Sequence, residues 1–154
     1  MKVWTNGCFD ILHRGHIELF KYAKSLGKEL IVGIDTDEKV KKDKGDDRPI
    51  NCLNDRIEML NSIVYIDKVI PFDSTDELES TIKWIKPHIM VIGSDWKKGK
   101  VIGKKWAEKL IFFDRISDYS TTKILNKNNE GPDPYLQTRW KWKKENTYQH
   151  SLNL

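Results

Sequence analysis

Short apolar runs alternate with amphipathic stretches along the chain. KVWTN, residues 2–6, predicts a first strand. HIELFKYAKSLG, residues 16–27, predicts an amphipathic helix with Ile17, Phe20, Tyr22, Ala23 and Leu26 on its apolar side and Gly27 closing it. ELIVGI (29–34) is continuously apolar, as in a strand buried on both faces. A polar, lysine-rich segment from 35 to 51 reads as a loop. LNDRIEMLNSI (53–63) restarts a helix, with Asn51 or Asn54 as candidate caps. KVIPF (68–72) predicts a strand, STDELESTIKWIK (74–86) a helix stopped before Pro87, and HIMVIG (88–93) another buried strand. Residues 94–109 read as a loop leading into a short helix, LIFFD (110–114) as a fifth strand, and SDYSTTKIL (117–125) as the start of a last short helix. Strand and helix alternate throughout. That is the pattern of a doubly wound α/β fold, a five-stranded parallel sheet with helices on both faces.

From residue 127 the apolar periodicity fades. The expected organisation is therefore one domain over residues 1–126 and an aromatic and basic tail over 127–154. The 154 residues suffice for one sizeable core. With 38% hydrophobic and 32% charged residues the composition is that of a globular chain, and no apolar run approaches the ~20 residues of a membrane span. The chain enters its first strand directly, without a signal-peptide pattern, and Cys8 and Cys52 lack metal-type spacing. Reduced thiols in a cytoplasmic protein are expected. A net charge of +4 suits an anionic small molecule as well as it suits nucleic acid.

In such a sheet ligands bind beyond the carboxyl ends of the strands. The loops there are residues 5–16, 35–49, 71–75, 93–100 and 114–121. The first, TNGCFDILHRGH, runs straight into a helix, with His13 at its mouth and His16 in its first turn. Free amides and the positive end of the helix dipole make an anion site, Gly15 lets a phosphate approach the backbone, and imidazoles donate to phosphate oxygens. A capping histidine or a chance surface pair are the alternatives.

TNGCFDILHRGH resembles the signature of the HxGH nucleotidyltransferase (cytidylyltransferase-like) superfamily. KGDDRPINCLNDR is similar to a loop of D-glycero-β-D-manno-heptose 1-phosphate adenylyltransferases. GSDWKKGKVIG resembles both that family and glycerol-3-phosphate cytidylyltransferase, and DYSTTKI resembles the S-T-T signature of both. The resemblance spans residues 1–126. It implies a Rossmann-like nucleotidyltransferase that joins a nucleoside triphosphate to a sugar phosphate or polyol phosphate and releases pyrophosphate. No covalent enzyme intermediate is implied, so catalysis rests on positioning and charge. Mg²⁺ is expected with the triphosphate, held mainly by phosphates and water, since no carboxylate cluster resembles a metal cage. A homodimer is also implied, and with no kinase domain in the sequence, a stand-alone transferase.

The resemblance assigns His13, His16 and Lys44 to catalysis, with Lys41 a weaker candidate beside Lys44. Thr5, Asn6, Gly7, Phe9, Gly15, Gly93, Asp95, Trp96, Arg115, Tyr119, Ser120, Thr121 and Thr122 are assigned to nucleotide binding, and Asp10, Arg48 and Arg56 to acceptor binding. Some have a plainer alternative: solvated charge for the lysines, a core position for Trp96, helix capping for one of the three hydroxyls. Arg56 opens a helix, where a cation gains nothing from the dipole, which favours a ligand or ion-pair role.

The substrate divides the resemblance. The RPIN loop, TNGCFDILH and Tyr119 favour ATP and a heptose phosphate. Arg115, five residues before Ser120, is where the glycerol-3-phosphate cytidylyltransferase segment has an arginine and favours CTP. Ser117 and Asp118 replace the usual Glu-Gly of both, and Asp118 must point away from a triphosphate or pair with a lysine. In the tail, TRWKWKK could serve nucleic acid or a membrane surface. Its charge is weak for either role, and packing of Trp140 and Trp142 on the domain or across a subunit interface is the expected use. A catalytically inactive nucleotide-binding module is the reading from another class.

Overall fold

The structure, a computed structural model, describes residues 1–114 and 120–126. The chain divides into two units, Met1–Thr121 and Thr122–Leu154. The expected 127–154 tail lies outside the described residues, as do Arg115, Ser117, Asp118 and Tyr119.

The first unit holds five parallel strands: β1 (Lys2–Gly7), β2 (Glu29–Asp35), β3 (Lys68–Phe72), β4 (Ile89–Gly93) and β5 (Lys109–Phe113). Helices α1 (Arg14–Ser25), α2 (Asp37–Lys44), α3 (Leu53–Asn61) and α4 (Thr75–Ile85) connect them, and α5 (Thr121–Asn126) follows. The strand order is β3-β2-β1-β4-β5. Pro71 sits in β3, an edge strand, where a missing amide donor is tolerated. On one face Leu19, Phe20 and Ala23 of α1 and Leu60 of α3 pack on Val3, Leu30, Val32 and Val91. On the other, Leu78, Ile82 and Ile85 of α4 cover Trp4, Ile31 and Met90. The sheet is thus doubly wound with helices on both faces, as the alternation predicted.

Three local expectations change. The lysine-rich segment contains α2. Thr36 caps it by accepting from the Lys39 amide, Asp37 and Glu38 occupy its first turn, and Gly45 ends it at φ 100°. Only Val40 on this helix is buried, so no apolar period announced it. Neither Asn51 nor Asn54 caps α3. Cys52 stands at its N-cap without a side-chain bond, and Asn51 is engaged elsewhere. On α1, Leu19 rather than Tyr22 takes the buried position; Tyr22 is exposed and meets Phe113 at 5.3 Å between ring centroids.

The chain moves outward from β1 to β3, then returns past β1 to β4. The topological switch point is therefore between β1 and β4, where open α/β sheets bind ligands. These two strands pair only at Val3↔Ile89 and Trp4↔Met90, whereas β4 and β5 pair through Gly93↔Phe113. Beyond Trp4 and Met90 the central strands part, and their carboxyl ends open towards the loops after Gly7 and Gly93.

Candidate active site

The histidine pair stands where that opening meets α1. His13 is the N-cap, extended at φ −139°, and His16 is the third residue of the helix. The His13 amide donates to His16 Nδ1 over a long 3.4 Å, and the His13 carbonyl accepts from the His16 amide at 2.9 Å. A neutral His16 that accepts at Nδ1 carries its proton on Nε2, so that nitrogen is the donor. The two rings stack with centroids 3.8 Å apart and planes 21° apart. Two imidazoles are thus fixed face to face over a helix N-terminus, where backbone amides and the dipole favour an anion. Gly15 is the second residue of that helix.

Beneath the pair lies Phe9, at φ 45° and buried. Its ring meets His16 edge to face at 5.3 Å. Gly7 makes room for it, since a Cβ there would come within 3.2 Å of Phe9 Cζ. Asn6 Oδ1 accepts from Trp4 Nε1 at 3.0 Å, and Thr5 is buried with no hydrogen-bond partner for its hydroxyl.

Asp10 is closed to solvent. Its carboxylate accepts from Arg48 Nε at 2.9 Å and from the Ile50 and Asn51 amides at 2.8 Å each, and Asn51 Nδ2 donates to its carbonyl. Burial pushes the carboxyl up, but the two amides and the guanidinium outweigh it and hold Asp10 below the usual carboxylate range. Asp10 therefore orders the first loop against residues 48–51. Arg48 reaches that loop with Nε committed to Asp10.

Arg56 has no solvent exposure on its side chain. It donates to the carbonyls of Asn51, Cys8 and Asp35 at 2.8–3.0 Å and to Asp37 Oδ1 at 2.7 Å. Four of its five N–H donors are thus spent within the chain. The structure places Arg56 as a buried tie beneath the loops rather than on a surface open to an acceptor. It joins the ends of β1 and β2 to the starts of α2 and α3. Cys8, Asp35, Asp37 and Asn51 were missed by sequence reasoning, because partners 5 to 48 positions apart leave no linear signal.

Lys44 is exposed and closes α2 instead of riding a loop, and Lys41 lies one turn earlier, exposed as well. Lys44 is near enough to Cys8 and Asp35 to act on both. Burial raises the Cys8 thiol, and the charges of Lys44 and Arg56 oppose that rise. Burial likewise raises Asp35, against the pull of Lys39, which lies 3.2 Å from it. The charge of Lys44 thus acts on groups that follow β1 and end β2.

Across the opening, a Cβ on Gly93 would meet nothing within 4 Å, so the strand end faces open space. The 3-10 turn Ser94–Lys98 follows, carrying Asp95 and Trp96. Trp96 is 58% exposed, which overturns the core alternative for it. Lys97 pairs with Asp114 at 2.9 Å and ties this turn to the end of β5. Thr121 Oγ1 donates to the Ile11 carbonyl at 3.2 Å, which ties Thr121 to the histidine loop; Ser120 precedes it, half-buried. Thr122 is exposed within α5. Arg115 and Tyr119 lie outside the described residues.

The cytidylyltransferase-like family model matches residues 4–148. The chain belongs to that family. Among curated members, the bifunctional protein HldE of Campylobacter fetus is 44% identical over 125 residues, 81% of this chain and 27% of that protein. HldE of Nitratiruptor is 45% identical over 125 residues, with the same coverage. The chain thus spans about a quarter of the length of the curated relatives it matches. Among solved structures, a lipopolysaccharide core biosynthesis protein of Thermoplasma volcanium superposes with TM-score 0.59 at 29% identity, covering 78% of this chain and 98% of that one. Pantothenate synthetase of Thermus thermophilus superposes with TM-score 0.57 over 90% of this chain and 64% of that one; at 11% identity this likeness is one of fold alone. The family match crosses residue 126, the boundary the composition suggested.

Proposed function

We propose that this member of the cytidylyltransferase-like family is a nucleotidyltransferase that activates a sugar phosphate, with ATP and heptose 1-phosphate as substrates. An oxygen of the acceptor phosphate attacks the α-phosphorus of the nucleotide. The bond from that phosphorus to the bridging oxygen breaks, and pyrophosphate leaves with the electron pair. The observation that carries the reading is the stacked His13–His16 pair over the N-terminus of α1 at the switch point. Kinship to HldE proteins and to a lipopolysaccharide core biosynthesis protein supports a sugar phosphate as acceptor.

In this reading His16 Nε2 and His13 donate to oxygens that gain charge as pyrophosphate departs. The amides of α1 hold the polyphosphate, and Lys44 neutralises it from the side. Gly93 leaves room beside the nucleotide, and Asp95 and Trp96 border its base or ribose. Arg48 meets the acceptor from the loop that Asp10 fixes. Among the described residues no group of three or more His, Cys, Asp or Glu side chains could hold a metal. In this reading Mg²⁺ arrives with the triphosphate and is bound by phosphate oxygens and water. Catalysis in the cytoplasm by a homodimer completes the proposal. No helix among the described residues is long and apolar enough to cross a membrane.

A grid of nucleotides against phosphorylated acceptors, read by pyrophosphate release, tests it. Turnover with ATP and heptose 1-phosphate is the expected result. Turnover with CTP and glycerol 3-phosphate favours the second reading, which Arg115 supports, and that turnover must then fall in Arg115→Leu. Tight nucleotide binding without turnover on any acceptor leaves a binding module and ends both.

A further inference from the structure

Cys8, Phe9 and Asp10 join the end of β1 to the histidine loop, and both outer residues are pinned. The Cys8 carbonyl accepts from Arg56 at 2.8 Å. The Asp10 carbonyl and carboxylate are held by Asn51, Ile50 and Arg48 at 2.8–2.9 Å. Between these pins Phe9 takes φ 45°, a left-handed conformation costly for a residue with a bulky side chain. Such strain persists where the surroundings over-determine it, and it collects at functional sites. The Phe9 ring occupies the space that Gly7 leaves, tilts against Phe20 at 5.1 Å and presents an edge-to-face contact, 78° between planes, to His16. His16 therefore has ring contacts with both Phe9 and His13.

We propose that Phe9 is a positioning residue whose ring sets the plane of the His16 imidazole and, through the stack, that of His13. Edge-to-face contact is directional, so it fixes orientation where an aliphatic side chain would only fill volume. The hydrogen bonds on Cys8 and Asp10 hold the backbone that aims the ring. The 48–51 loop, which our functional reading assigns to the acceptor, thereby acts on imidazoles that the same reading assigns to the nucleotide. The proposal rests on that reading for its catalytic meaning and on geometry alone for the orientation.

The full-length chain is labelled with ¹⁵N at histidine imidazoles, and wild type, Phe9→Leu and Ile82→Val are compared. Ile82 is a buried core residue on the opposite face and controls for loss of packing. His88, whose Nδ1 accepts from the Lys2 amide at the other end of the sheet, is an internal reference. In Phe9→Leu the His16 nitrogen shifts move while those of His88 do not. kcat falls at least ~10-fold while KM for the nucleotide changes less than ~3-fold, the mark of a misplaced transition-state donor. In Ile82→Val both histidines keep their wild-type signals. A folded Phe9→Leu protein whose His16 signals superpose on wild type overturns the proposal, as does an unchanged kcat. If Phe9→Leu does not fold, nuclear Overhauser effects between Phe9 ring protons and the His16 ring in wild type decide: their presence supports the contact and their absence refutes it. Wild type inactive on every substrate pair would end the functional reading, while the imidazole signals would still test the orientation.

Discussion

Asp10 and Arg48, thirty-eight positions apart, meet at 2.9 Å with the Asp10 side chain closed to solvent. The pair fastens the segment that ends β1 to the loop that enters α3. Two backbone amides complete the carboxylate's hydrogen bonds, so the buried charge is compensated on three sides.

Stability should follow the charge on Asp10. Its carboxyl lies below the usual range: burial raises it, and the Asn51 and Ile50 amides with Arg48 more than offset that. A group with a depressed folded pKa contributes stability above its unfolded value, about 4 for aspartate, and loses it as pH falls through the folded value. Urea unfolding of wild type should weaken as pH drops from about 4 towards 2. Asp10→Asn should be about 3 kcal/mol less stable at neutral pH, with a flatter acid limb. An acid limb parallel to wild type would show that Asp10 does not carry this dependence.

Arg56→Met should act on folding before it acts on ligands. It strands the carbonyls of Cys8, Asp35 and Asn51, each a buried acceptor worth about 1–3 kcal/mol if left unsatisfied. A loss of at least ~3 kcal/mol in chemical denaturation is expected. Wild-type stability with weakened acceptor binding would instead return Arg56 to the ligand surface.

Lys44→Gln should do the reverse. The side chain is exposed, so unfolding free energy should stay within about 0.5 kcal/mol of wild type. Triphosphate affinity, measured by calorimetry, should fall and depend less steeply on salt, because one screened attraction is gone. Equal affinity and equal salt slope would make Lys44 ordinary surface charge.

His16→Ala should lower kcat by ~10²-fold or more while KM moves little, since the donor is needed most as pyrophosphate departs. Steady-state kinetics with the substrates found in the grid give the comparison. A change confined to KM would assign His16 to ground-state binding.

Much of this was legible along the chain. Apart from Glu29, His88 and the glycines, ELIVGI and HIMVIG are apolar at every position, as strands covered on both faces require, and neither lies at an edge of the sheet. HxGH after a strand placed both imidazoles at a helix mouth because helical geometry is local. Helix α2 was misread for a reason equally local: Thr36, the acidic first turn and Gly45 marked its ends, but Val40 alone gave no apolar period. Of the ligand and ion-pair roles the sequence offers for Arg56, the structure shows the ion pair, with Asp37. The position of Arg56 at the start of α3 is readable, but Cys8 and the 35–37 segment, which supply three of its four acceptors, are brought to it only by the fold.

Alternation of apolar and polar residues, with glycine and cap signals, determined the parallel sheet and the position of the histidine loop at a strand end. Those features follow from side-chain periodicity and backbone preference within a few residues. Tertiary structure decided which polar groups remain for a ligand. It closed Asp10 and Arg56 into the scaffold, left Lys44 and Trp96 exposed, and set the rings of Phe9 and His16 edge to face. Burial and hydrogen-bond satisfaction are set by neighbours distant in sequence, so no local pattern encodes them.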